Sequence, residues 1–182
     1  MSTPVMRAFL GFIAAAISVL TFHQAMWELL HVLNLPGLGM PPPYPMRGVP
    51  PWGVPLIVSL CFWGGLYGAV FGLVLPRLTA PLWLCGLVLG IIAALVGLFV
   101  VPAIKGLPIA GGWVLLNWVR SFLINGFWGI GVGLILPLLV VRRSRLAPTA
   151  LSSSTPARRW TMFRRPSASI FPRCRRLRTS IR

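Results

Sequence analysis

The chain has 182 residues, 57% of them apolar, with a mean hydropathy of +0.84 and a formal charge of +16. A soluble surface needs interspersed charges of both signs. Here the one acidic residue is Glu28, and residues 1–141 add only Arg7, Arg47, Arg77, Lys105 and Arg120, which excludes an ordinary soluble domain. The basic excess is local, because 12 of the 17 Lys and Arg residues lie between Arg142 and Arg182; no nucleic-acid partner is expected for the rest of the chain.

A bilayer core about 30 Å thick takes roughly 20 apolar residues in helical form. Four stretches have that length, at about 7–33, 55–75, 82–104 and 113–141, separated by proline- and glycine-rich breakers. The expected fold class is an all-α membrane protein of four transmembrane helices arranged as two hairpins. On this reading 1–141 is the bundle and 142–182 a basic, disordered cytoplasmic tail.

The first span has too long an apolar run, and too thin a basic start, for a cleaved signal peptide, and reads as a retained anchor. It carries the string HQAMWELLH from His23 to His31. His23, Trp27 and His31 recur every four residues and share a face, with Glu28 about 60° from His31 around the helix. Ionisable groups inside an apolar span are costly and mark a partner or a cavity. The expected partner of Glu28 is Arg120, at similar depth in the fourth span, with Asn117 and Asn125 extending the network. His23, Glu28, His31, Asn117 and Arg120 are thus the candidate intramembrane polar cluster. It reads as structural hydrogen bonding, as a proton or ion path, or as a copper site using His23, Met26 and His31 with Met40 and Met46. A dinuclear carboxylate site is excluded by the shortage of acids. No metal or other cofactor is expected.

The loop from Leu35 to Val54 holds Pro36, Pro41, Pro42, Pro43, Pro45, Pro50 and Pro51 and should be extended and stiff, a spacer between hairpins. Its Tyr44, Arg47 and Trp52 are suited to a partner or to lipid headgroups.

Gly64, Gly68 and Gly72 in the second span, Gly86 and Gly90 in the third, and Gly129 and Gly133 in the fourth are spaced for close helix packing, in the bundle interior or at a homodimer seam. The second span reads GAVFGLVLP from Gly68 to Pro76 and the fourth GIGVGLILP from Gly129 to Pro137, each after an FWG triplet. The echo suggests a weak parallel internal repeat about an axis along the membrane normal. Cys61 and Cys85 lie at different depths, which rules out a disulfide between them.

Over about residues 8–76, the strings FHQAMWELLH, PPPYPMRGVPPWGVP and FWGG resemble those of a group of small uncharacterised four-helix inner-membrane proteins of GC-rich bacteria. The resemblance implies membrane location and the four-helix plan but no activity, and the tail departs from it.

Arg142, Arg143 and Arg145 directly follow the last span, and short basic flanks are retained in the cytoplasm. Both termini are therefore expected there, in a multi-pass protein of the bacterial inner membrane, with Arg47 and Lys105 as an outer minority. The tail has no acidic residue and should not fold alone. It reads as a polybasic lipid-surface segment with Trp160, Phe163 and Phe171 in the interface, or as out-of-frame translation of GC-rich DNA.

No nucleophile and base constellation is visible, so an enzyme is not expected. The leading expectation is a non-enzymatic scaffold or accessory subunit whose partners are the lipid bilayer and a homo-oligomer or larger membrane complex. The alternative is a small oligomeric transporter or channel with a polar path near Glu28, His31 and Arg120.

Overall fold

The computed structural model describes residues 3–146, within the first of two units into which the chain divides, Met1–Pro148 and Thr149–Arg182. Four helices long and apolar enough to cross a membrane dominate it: α1 (Pro4–Leu33), α2 (Leu56–Arg77), α3 (Leu82–Ile104) and α4, which runs Leu115–Leu146. They lie where the apolar runs place them, with shifted ends. α1 starts at Pro4 rather than Arg7, because Thr3 Oγ1 accepts the Met6 amide at 3.3 Å and Pro4 fits the first turn. α4 starts at Leu115 because residues 110–113 form a left-handed turn, with φ of 55° at Ala110, 61° at Gly111, 68° at Gly112 and 59° at Trp113. Residues 142–146 continue α4 instead of opening the tail. The rest of the expected tail, with its lipid-surface reading and Cys174, lies outside the described residues.

Two of the helices are interrupted by a wide π turn, at Val19–His23 in α1 and at Val96–Val100 in α3. The second ends two residues before Pro102, whose ring and missing N–H do not fit a regular ladder. Between α1 and α2 the proline-rich loop makes a short antiparallel pair of β1 (Gly48–Val49) with β2 (Val54–Pro55), Gly48 opposite Pro55 and Val49 opposite Val54. The loop also caps α2: the Leu56 and Ile57 amides, which have no intrahelical acceptor, donate to Arg47 O at 2.9 Å and Pro45 O at 3.1 Å.

The most extensive packing joins α1 to α2 and α3 to α4, while α1 also lies on α4 and α2 barely touches α3. Both close pairs are antiparallel and built backbone on backbone. A Cβ at Gly11 would collide with Gly68 O, and one at Gly72 with Arg7 O; likewise a Cβ at Gly86 would collide with Gly129 O, and one at Gly133 with Leu82 O. Gly90 is closed against Asn125 O in the same way, whereas Gly64 meets the side chains of Val19 and Trp128. Such proximity supplies dispersion and weak C–H hydrogen bonding. The outward faces carry exposed Val70, Val88, Ile92 and Leu138, and the core gathers Ala14, Ala15, Val19, Phe71, Trp128, Val132 and Leu136.

Replacing Gly86 or Gly133 by Leu should lower the melting midpoint of the detergent-solubilised protein strongly, by more than the roughly 1–3 kcal/mol of ordinary overpacking, since main chain cannot yield like a side chain. Gly97→Leu, at a position with nothing within 4 Å of the added Cβ, should melt close to wild type; equal losses in both would refute the seam.

Candidate functional site

The polar residues of HQAMWELLH do not act as one cluster. The π turn ends at His23, and beyond it successive side chains take three directions. Glu28 is exposed. His31, Trp27 and Gln24 turn to the proline-rich loop. His31 Nδ1 donates to Met40 O at 2.7 Å and Trp27 Nε1 to Pro41 O at 2.7 Å, while Gln24 Oε1 accepts the Tyr44 amide at 2.7 Å. The Tyr44 hydroxyl donates back to Leu20 O at 3.0 Å. A run of prolines offers carbonyls but no N–H groups. Side-chain donors at one helical spacing therefore strap the loop along α1.

His23 faces the other way, toward α4. It is buried, its ring 5.8 Å from that of Trp27, and the Gln24 amide nitrogen donates to its Nδ1 at 3.2 Å. With Gln24 Oε1 already taken by Tyr44, that amide nitrogen is the donor, so the proton of a neutral His23 sits on Nε2. His23 and Trp27 share a cavity of about 330 Å³ with Asn117, Arg120, Ser121 and Asn125 of α4.

The expected ion pair between Glu28 and Arg120 does not form. Arg120 Nη2 donates instead to Asn117 Oδ1 at 2.8 Å, one turn earlier on its own helix. Glu28 points away from the bundle, because at its 60° offset from His31 it leaves the strip that faces the loop. Asn117 joins Arg120 as expected and also holds the left-handed turn, its Nδ2 donating to Gly111 O at 2.7 Å; Trp118 Nε1 bonds Ala110 O at 2.8 Å beside it. An L-residue costs roughly 1–2 kcal/mol in that conformation, and these two bonds hold Ala110 there. Asn125 does not extend the network, since its Nδ2 donates to Ser121 O at 2.9 Å. Among the described residues no three His, Cys, Asp or Glu side chains come together, and the two histidines of α1 have different partners, His23 bonding Gln24 and His31 bonding Met40 O. Cys61 and Cys85 are separate free thiols.

A second cavity, of about 720 Å³, lies under the loop, walled by Met40, Tyr44, Met46, Arg47 and Leu56 and meeting the first at Trp27 and Arg120. Gln24, Trp27 and Tyr44 are the site residues that the candidate cluster of the sequence left out. The available signal was a glutamine, unable to lose its polarity by titration, embedded in an apolar helix.

No family model, curated protein or solved structure matches the chain.

Gln24→Leu should leave the Tyr44 amide without its acceptor. Hydrogen–deuterium exchange in the 40–47 segment should accelerate by up to about tenfold, the worth of a typical net hydrogen bond. Unchanged exchange at Tyr44 would show that the strap does not hold the loop.

Proposed function

We propose that the chain is a non-enzymatic integral membrane protein of the bacterial inner membrane, a small binding or accessory subunit whose working surface is the polar end of the bundle. Its four helices cross as two hairpins with both termini in the cytoplasm. Apolar outward faces support insertion, since exposed Val, Ile and Leu on every long helix suit lipid rather than water. The repeated contact pattern supports a parallel internal repeat. Gly68 and Gly72 meet Gly11 and Arg7 as Gly129 and Gly133 meet Gly86 and Leu82. In this register the counterpart of Trp128 is Tyr67, and the two rings pack edge to face at 6.4 Å.

The observation that carries the accessory reading is where polarity stops. Below His23 and Asn125 the interior closes on Ala14, Ala15, Val19, Trp128, Val132 and Leu136, and Ser18, the one fully buried polar side chain there among the described residues, has its hydroxyl bonded to Trp128 O at 2.7 Å. A transport route needs polar groups at several depths. Among the described residues, the buried polar side chains of a single copy, His23 and Gln24 with Ser18 beneath them, gather toward one end, and Arg7 lies near the other.

Alkaline phosphatase fused after Pro51 or Leu107 should be active and after Thr79 or Leu146 inactive; the reverse pattern would invert the topology. Native mass spectrometry of the mildly extracted protein should then show a stoichiometric foreign subunit. Purified protein in liposomes should pass ions no faster than empty vesicles. A homo-oligomer that conducts, with flux lost in Arg120→Gln, would replace this reading with the channel.

A further inference from the structure

Arg47, on the loop, and Arg120, on α4, come from distant parts of the sequence yet line one cavity of about 720 Å³. The one acidic residue of the sequence, Glu28, is exposed and lines neither cavity. Arg120 has five N–H donors, and its one hydrogen bond among the described residues goes to the neutral amide of Asn117. A guanidinium in an apolar helix without a carboxylate is expensive and calls for an anionic complement.

The rest of the lining is biased the same way. The carbonyls of Met40 and Pro41 each already accept a hydrogen bond, from His31 and Trp27, and Gln24 Oε1 accepts one from Tyr44, which leaves each with one lone pair. Donors predominate: the two guanidinium groups and, in the adjoining cavity, the Ser121 hydroxyl and the Nε2–H of His23, with the Asn125 amide oxygen as an acceptor beside them. The remaining walls are Trp27, Met40, Met46, Leu56 and prolines. A volume within the roughly 300–1,000 Å³ range of organic-ligand pockets is far more than a bare inorganic anion fills.

We propose that this cleft binds an anionic amphiphile, its phosphate or carboxylate held between Arg47 and Arg120 and its hydrocarbon body lying along the Trp27 and methionine wall. The assignment rests on the membrane reading above, because such a ligand is met in a bilayer.

The test uses the full chain in phosphatidylcholine nanodiscs, titrated with dodecyl phosphate, dodecyl phosphocholine and inorganic phosphate and read by native mass spectrometry. Dodecyl phosphate should bind saturably, one per chain. The zwitterionic analogue and inorganic phosphate should not bind at the same concentrations. Arg120→Gln should weaken binding by about tenfold or more, as expected for a lost charged hydrogen bond, Arg47→Gln should weaken it several-fold, and Arg77→Gln, outside the cleft, should leave it unchanged. If Arg120→Gln does not fold, Arg47→Gln decides alone, because its side chain is exposed and only its backbone caps α2. Non-saturating uptake, or uptake insensitive to both cleft arginines, would overturn the site. Equal binding of inorganic phosphate would overturn the amphiphile and leave a simple anion site. Flotation of the protein with liposomes is scored separately: a chain that floats but ignores dodecyl phosphate loses only the cleft, whereas one that does not float loses the membrane reading.

Discussion

A reciprocal contact buried in the core ties the two close helix pairs together. Trp128 Nε1 donates to Ala15 O at 3.1 Å, and Ser18 Oγ donates to Trp128 O at 2.7 Å, all buried. Because α2 and α3 scarcely meet, α1 against α4 is the principal junction between the pairs. An indole N–H has no water to turn to in such an interior, and leaving it unpaired would cost about 1–3 kcal/mol. Position here is thus set by polar satisfaction, within a core that is otherwise apolar.

That junction depends in turn on an irregularity of α1. Around the π turn at Val19–His23 the main-chain ladder is disturbed, and side chains bond the nearby carbonyls. Trp128 takes Ala15 O, Thr21 Oγ1 takes Ile17 O at 2.9 Å, and the Tyr44 hydroxyl takes Leu20 O. One widened turn therefore couples the helix to α4 on one side and to the proline-rich loop on the other. In an apolar medium, a helix can deviate from regular bonding where neighbours supply substitutes.

Much of this architecture was legible in the sequence, because hydropathy depends on composition over some 20 residues and tolerates local error. The glycines were legible for the same reason they are used: nothing else allows main chains so close. Gly68, Gly72, Gly86, Gly90, Gly129 and Gly133 all sit at backbone contacts, and Gly64 alone meets side chains instead. The polar site was only half legible. Spacing put His23, Trp27 and His31 on one strip, but direction within a strip depends on what lies opposite, and the loop returned over α1 to claim Trp27 and His31. Charge counting paired Glu28 with Arg120 as the one carboxylate and the one guanidinium within the expected spans; it could not register the angular offset that sends Glu28 outward. The left-handed turn at Ala110–Trp113 was hidden because two of its four residues are not glycine.

A seam made of main chain has a consequence for motion. Side-chain interfaces can slide by small rotamer adjustments, but α3 and α4 interlock through Gly86, Gly90, Gly129 and Gly133, where the space for a Cβ is already filled by a carbonyl or an amide. Moving one helix along the other by a single residue would bring a branched side chain, such as Leu87 or Ile130, to a backbone. The next register with small residues facing one another lies a full turn away, about 5.4 Å along the axis. Each pair is therefore a ratchet with discrete stops, and any change of shape in this bundle falls to the junction between pairs and to the strapped loop above it.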